Sequence, residues 1–182
     1  MREDDDQALV IACIGGDRAA FAVLVTRYQR PLYNAAFRLL GNAEDANDVT
    51  QIVFVRVLER LSDYDPKYRF FSWIYRIAIN ESISLLRERR HEEPIDDDCD
   101  LPDPQGDGPE TSLDAQQTAA RVQQALNSMK PEDRVVLTLR HFSECSYREM
   151  AEILSVEEKT VKSRLFEARQ RLATGLGNVV RN

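Results

Sequence analysis

Residues 71–90 read FSWIYRIAINESISLLRERR. On a helix advancing ~100° per residue, Ile74, Tyr75, Ala78, Ile79, Ile83, Leu85 and Leu86 share one broad side. Trp73, Arg76, Asn80, Ser84 and Arg87 fall on the other. The apolar side predicts a helix packed on a core. The tryptophan on the wet side is the anomaly, because water penalises an uncovered indole. Its neighbours point to nucleic acid as the cover: cations hold phosphates, an amide reads a base, and an indole stacks on one. The plainer alternative is that Trp73 packs under a neighbouring loop.

Upstream of this helix the chain is helical throughout. Residues 5–14 predict a short helix ended by Gly15-Gly16. Asp17 can cap the next, which places Phe21, Leu24, Val25, Tyr28, Leu32, Ala35, Ala36 and Leu39 at helical spacing. Pro31 is expected to kink it and Gly41 to stop it. Asn42 can cap a third helix, from about Ala43 to Leu61, with Ala46, Val49, Val53, Val57 and Leu61 on its core side. Phe54 and Leu58 lie at one edge. The opposite side holds Asp48, Gln51, Val55 and Glu59, flanked by Asp45 and Ile52. Aliphatic side chains among carboxylates on an outer face suggest a protein partner with a basic surface. Scattered surface hydrophobes are the alternative. Ser62–Phe70 (SDYDPKYRF) is a loop carrying Pro66.

Downstream, residues 91–117 change character. They hold ten acidic residues and no Lys or Arg, interrupted by Pro94, Pro102, Pro104, Pro109, Gly106 and Gly108. Such a segment repels itself and forms no helix. It carries the acidity of the chain: the net charge is -7 overall and +3 outside it. It reads as an inert spacer or as an acidic chain that occupies a basic nucleic-acid channel.

The remainder is a second helical unit. Leu113–Met129 predicts one helix, and Pro131 starts another through Val135, Val136, Leu139 and Phe142. Ser146 with Glu149, and Ser155 with Glu158, each have the spacing of a capping box. Two helices starting about nine residues apart leave the tight joint of a helix-turn-helix. In the second, Val161, Leu165, Ala168 and Leu172 form the apolar stripe. Lys159, Ser163, Phe166 and Gln170 lie opposite, with Lys162 to one side. An aromatic on that outer face again requires a cover, and a thymine methyl in a major groove would serve. The alternative is a helical hairpin that only packs.

Other chemistry is not signalled. Cys13, Cys99 and Cys145 are widely spaced with no CxxC, which argues against disulfides and zinc. His141 and Cys145 lack further ligands, and no catalytic triad or phosphate-cradling loop occurs. No metal, cofactor or enzymatic activity is expected. No apolar run approaches ~18 residues, and MREDDDQ is unlike a signal peptide, so a cytoplasmic location without membrane insertion is expected.

Three stretches carry a family resemblance: DANDVTQIVFVRVLERL, FFSWIYRIAINESISLLRERR and LSVEEKTVKSRLFEARQRL. In this order and spacing the chain resembles bacterial RNA polymerase sigma factors of the sigma-70 family, extracytoplasmic-function (ECF) group. The resemblance implies an all-α fold of two helical domains joined by an acidic flexible linker. These are a region 2-like domain at 1–90, the linker at 91–117, and a region 4-like helix-turn-helix domain at 118–182. It implies a transcription initiation factor that binds core RNA polymerase, through the clamp coiled coil of its largest subunit and its flap region, and promoter DNA. Asp45, Asp48, Gln51 and Phe54 match the family's core-binding pattern, and Ile52, Val55 and Glu59 share their helix. Phe71, Trp73, Arg76, Ala78 and Asn80 match the pattern that melts the -10 element. Arg87, and Tyr64, Lys67 and Arg69 of the preceding loop, extend that -10 surface. Thr160, Val161, Lys162, Ser163, Arg164 and Phe166 match the helix that reads the -35 element, with Lys159 and Gln170 beside them. Asn47, Ile52 and Ser84 stand where the family usually has acids, and Glu157, Glu158 and Glu167 make the -35 helix unusually acidic. An anti-sigma factor or an activating kinase is the expected regulator, with Thr50 a poor acceptor because it leans toward the core. The alternative from another class is a conventional helix-turn-helix regulator of duplex DNA that does not bind polymerase.

Overall fold

The computed structural model describes residues 3–92 and 113–179. Most of the stretch assigned to the acidic linker, and Cys99, lie outside the described residues. All regular structure among the described residues is helical. Helix α1 spans Glu3–Ile14, α2 Arg18–Leu40, α3 Ala43–Arg60 and α4 Phe70–Glu92. A 3-10 turn, Leu61–Asp63, leads from α3 into the loop before α4. Helix α5 spans Leu113–Asn127, so the second helical unit begins inside the stretch read as linker. Helix α6 spans Pro131–Leu137 and continues as a π-turn over Thr138–Phe142. Helices α7 (Tyr147–Leu154) and α8 (Glu158–Val179) complete the order.

Local chemistry sets the ends. Asp17 accepts from Ala19 N (2.8 Å) and Ala20 N (3.2 Å), satisfying two orphan donors at the start of α2. Asn42 does the same for α3 by accepting from Asp45 N at 3.0 Å. Gly41 ends α2 in the left-handed conformation (φ 72°), its N–H bonded to Phe37 O at 2.8 Å. A Cβ there would also lie 2.5 Å from the Asn127 side chain, so space and backbone both demand glycine. Pro31 neither starts nor ends an element: α2 runs through it, because the buried stripe Leu24, Tyr28, Leu32, Ala35, Ala36 and Leu39 holds both halves on the core. The Ser146–Glu149 capping box forms in both directions. The second expected box does not. Ser155 sits at φ 54° as the left-handed C-cap of α7, its N–H bonded back to Ala151 O, and α8 starts only at Glu158. The tight joint requires that left-handed residue, which removes Ser155 from the N-cap role.

In the first unit α2, α3 and α4 pack together, with α1 laid across α2 and α4. Tyr28 is fully buried and donates to Asp6 at 2.5 Å, and Arg27 also binds Asp6. Burial and that carboxylate raise the Tyr28 phenol. Gln7 donates to Pro66 O at 2.7 Å, tying α1 to the loop before α4. In the second unit Val135, Val136, Leu137 and Leu139 meet Val161, Leu165 and Ala168 in one core, each such burial stabilising by about 1.5–3 kcal/mol for the larger side chains.

The two units touch. Helix α2 meets α5, α6 and the π-turn, and α4 meets α6 and α7. Arg134, 8% exposed, donates to Leu39 O (2.7 Å) at the end of α2, to Asn127 O (3.0 Å) at the end of α5 and to Met129 O (3.2 Å) just beyond it. A guanidinium suits the carbonyl end of a helix. We expect Arg134→Ala to strip these three carbonyls of donors and to lower stability by about 2–4 kcal/mol, read as a fall in the thermal midpoint.

Candidate nucleic-acid and partner interfaces

On α3 the core-facing residues Ala46, Val49, Val53 and Val57 are buried, which leaves the other side of the helix to solvent. Asp48, Gln51 and Glu59 are exposed, and so are Ile52 (41%), Val55 (54%) and Leu58 (58%). Residues three apart lie one above another on a helix, so the three aliphatic side chains form a continuous strip. Leu58 belongs to this strip. The helical wheel sets it at the core edge, because a wheel does not show that α4 packs on the other flank. Phe54 is half-buried, edge-on to Phe21 at 6.3 Å. Asp45 is half-buried and paired with Arg89 at 2.5 Å, and Arg56 reaches Glu59 (3.6 Å) and Glu81 (3.4 Å). Thr50, the hydroxyl of this helix, is buried and donates to Ala46 O at 2.6 Å.

The loop before α4 is built from its own side chains. Asp65 accepts from Lys67 N at 3.0 Å, and its carbonyl accepts from Tyr68 N at 3.1 Å. Tyr64 is buried, not presented: its ring lies 5.7 Å from Phe70 and 5.6 Å from Trp73, and its hydroxyl donates to Tyr68 O at 2.6 Å. Tyr68, 54% exposed, is the aromatic ring the loop offers to solvent. The sequence YDPKY carries no signal for which tyrosine turns in. That choice is made by the Phe70 ring, which sits between Tyr28 at 5.5 Å and Tyr64.

Trp73 is half-buried, with Tyr64 and Phe70 (5.7 Å, rings tilted by 38°) covering part of the indole. The loop thus covers one side of Trp73 and leaves the rest open. Phe71 is half-buried against Tyr75 at 4.3 Å. Tyr75 itself is buried beside Ser143 and Cys145, and burial pushes its phenol up to about 12. Asn80, Arg87 and Lys67 are exposed. Arg69 and Arg76 are engaged: Arg69 donates to Glu149 at 2.7 Å, and Arg76 donates to the carbonyl oxygen of Glu152. Burial pushes the Glu149 carboxyl up, but hydrogen bonds from Ser146 and Arg69 outweigh it and hold it below the ordinary range.

On α8 the packed stripe is as its spacing predicts: Val161, Leu165 and Ala168 are buried and Leu172 half-buried. The outer face presents Lys159, Lys162, Ser163, Arg164, Phe166 and Gln170, with Thr160 half-buried at its edge. Phe166 is 62% exposed. Lys162 lies over the Tyr147 ring at 5.4 Å, and Arg171 Nη1 donates to both carboxylate oxygens of Asp133 at 2.7 and 2.8 Å. The helix is therefore fixed on α6 by one edge and on α7 by the other, with the Phe166 face turned out.

Comparison with known proteins agrees with this architecture. Residues 24–92 match the Sigma-70 region 2 family, and residues 119–172 match Sigma-70, region 4. The RNA polymerase sigma-H factor of Pseudomonas aeruginosa is 31% identical over 191 residues, spanning 100% of this chain and 98% of that protein. The ECF RNA polymerase sigma factor SigW of Bacillus subtilis is 30% identical over 168 residues, spanning 86% of this chain and 89% of its own length. Among solved structures, CnrH in complex with the cytosolic domain of CnrY superposes with a TM-score of 0.74 at 27% identity, over 96% of this chain and 98% of CnrH. The sigma factor RpoE in complex with the anti-sigma factor NepR from Bartonella quintana gives 0.69 at 25% identity, over 86% of this chain and 96% of RpoE. With both regions matched in order and the likeness running across both units, the chain belongs to the sigma-70 family of RNA polymerase sigma factors, in its extracytoplasmic-function group.

Proposed function

We propose that this sigma factor divides its work among three faces. The α3 strip of Ile52, Val55 and Leu58, bordered by Asp48, Gln51 and Glu59, docks on the clamp coiled coil of core polymerase, while the flap region takes the second unit. The α4 face, with Trp73, Arg76, Asn80 and Arg87 and the loop residues Lys67, Tyr68 and Arg69, captures bases of the opened -10 strand. The outer face of α8 reads the -35 duplex. The helical units α1–α4 and α5–α8 are the two working domains, with the acidic stretch between Glu92 and Leu113 as the connection. The chain adds no catalytic chemistry of its own and acts in the cytoplasm. No helix among the described residues is long and apolar enough to cross a membrane.

The observation that carries this reading is the split of α8: three side chains fully buried, and a phenylalanine at 62% exposure among lysine, serine and glutamine directly opposite. A hairpin that only packs has no use for that ring, whereas a thymine methyl covers it. Co-purification with core polymerase is the test, since a duplex-binding regulator would not be retained.

A protein regulator of the anti-sigma class fits better than a kinase acting on the core-binding helix. Thr50 is buried with its hydroxyl engaged, so a kinase would have to unwind α3 to reach it. The likeness, over 86% of this chain, to a sigma factor bound to an anti-sigma factor supports the first class.

For α8 we expect Phe166→Ala and Lys162→Ala each to weaken -35 duplex binding by about tenfold, with only the Lys change lowering the salt slope, by about one unit. Ser163→Ala should relax base choice at one position. Identical footprints for wild type and all three variants across a salt series would remove the recognition role from this face.

A further inference from the structure

Helix α1 precedes residue 24, where the region 2 likeness begins. Two neighbouring residues nevertheless tie it to the loop before α4. Gln7 is exposed, and its Nε2 donates to Pro66 O at 2.7 Å across 59 residues of sequence. Pro66 is a central residue of the turn closed by the 3.1 Å bond from Tyr68 N to Asp65 O. The same amide lies near the Tyr64 hydroxyl: burial pushes that phenol up, and hydrogen bonding from Gln7 opposes the rise. A primary amide carries two N–H donors, so it can serve both oxygens. The Tyr64 hydroxyl donates in turn to Tyr68 O at 2.6 Å. Asp6, 5% exposed, makes the second tie. It accepts from Tyr28 at 2.5 Å, and the Tyr28 ring lies 5.5 Å from Phe70. Phe70 meets both Tyr64 and Trp73 at 5.7 Å.

We infer that Gln7 is a positioning residue for capture of the -10 strand: by holding the Pro66 carbonyl it fixes the loop in the shape that receives a base, with Lys67 and Tyr68 turned out and Tyr64 against Trp73. The inference rests on the assignment of α4 and its loop as the -10 face. Gln7 acts through the loop and not on the DNA. The loop already restrains itself internally. Pro66 fixes its own φ, and Asp65 accepts from Lys67 N at 3.0 Å. What these local bonds leave free is the swing of the whole turn against α4. Only a bond from a different element removes that freedom, and α1 supplies one. A loop ordered beforehand loses less freedom when a base arrives, so more of the contact energy appears as capture. One neutral hydrogen bond of ordinary net strength sets the scale at about fivefold between the held and the loose loop.

Trp73 is the single tryptophan of the chain, so its emission reports on this site alone. The test uses the full chain with Gln7→Leu, which removes the amide, and Gln7→Lys, which keeps a donor. Asn42→Ala, which removes the cap of α3 away from the loop, is the control for a general loss of stability. In the free protein, quenching of Trp73 by acrylamide should rise in Gln7→Leu and return to the wild-type value in Gln7→Lys. Acrylamide is uncharged, so the added lysine charge does not bear on that readout. In holoenzyme, permanganate reactivity of the -10 thymines should fall about fivefold in Gln7→Leu, with retention on core polymerase unchanged. Asn42→Ala should match wild type in both quenching and opening. Wild-type quenching in Gln7→Leu would overturn the inference, and so would a Gln7→Lys protein that quenches like Gln7→Leu. Equal losses of opening in Gln7→Leu and Asn42→Ala would reduce the bond to a stability effect and overturn it too. A loosened Trp73 with wild-type opening in Gln7→Leu, while Trp73→Ala opens poorly, would overturn positioning and leave the -10 face standing. Wild-type opening by Trp73→Ala would instead remove the -10 assignment, and the inference with it.

Discussion

Val55→Asp should abolish co-purification with core polymerase, and Asp48→Arg should do the same, while both proteins stay folded. Val55 is 54% exposed between Ile52 and Leu58, so the change falls outside the buried core of the free chain. In a complex it sits at the centre of the apolar strip, where water is excluded and truncation or charge has its largest effect. A carboxylate enclosed there without a partner costs several kcal/mol, so a loss of about 3 kcal/mol or more, over a hundredfold in affinity, is expected. Asp48 lies on the rim of the strip; against the basic partner proposed for this face, reversing its charge turns attraction into repulsion and slows association as well. Leu58→Asp should match Val55→Asp, since the structure sets Leu58 in the same strip. Unchanged retention of all three variants on immobilised core polymerase, with thermal midpoints equal to wild type, would remove α3 as the docking face.

The comparison of Leu58 with Phe166 shows what periodicity carries. Both lie on helices whose core stripes follow a 3.6-residue repeat, and both stripes are legible: Val49, Val53 and Val57 on α3, Val161, Leu165 and Ala168 on α8. Phe166 lies directly opposite its stripe, so its exposure follows from angle alone. Leu58 lies at the margin, where exposure depends on which neighbours arrive, and the wheel does not contain the neighbours. The loop tyrosines fail for a related reason. Tyr64 and Tyr68 are equivalent in composition, and the Phe70 ring, placed by long-range contact with Tyr28, decides which one is buried. Ser155 is the third case: its spacing to Glu158 satisfies a capping box, but the joint between α7 and α8 needs a left-handed residue first, and that need overrides local propensity. The face that α7 presents to α4 has no local signal at all. It joins residues 80 apart in sequence, and its donors and acceptors are ordinary surface residue types until the units meet.

Trp73→Ala should leave polymerase binding and -35 duplex binding near wild type and sharply reduce promoter opening. Trp73 belongs neither to the exposed strip of α3 nor to the outer face of α8, so neither proposed docking event calls on it. Duplex DNA offers no free π-face to an indole, whereas an opened -10 strand does. The ring is also preorganised, because Tyr64 and Phe70 hold it at 5.6 and 5.7 Å, so little side-chain freedom is lost when a base arrives. Stacking is worth about 1–3 kcal/mol per base, which sets a loss of about ten- to a hundredfold in the opened fraction. The same contacts give the ring a packing role, and the variants must separate the two. Trp73→Phe keeps an aromatic face and should retain most of the opening. Tyr68→Ala removes an exposed ring, so it should not lower the thermal midpoint, yet it should reduce opening if the loop captures a base. Permanganate reactivity of the -10 thymines in holoenzyme complexes reads opening directly. Wild-type reactivity in Trp73→Ala, together with a lowered midpoint, would make the indole a packing residue of the aromatic cluster and nothing more.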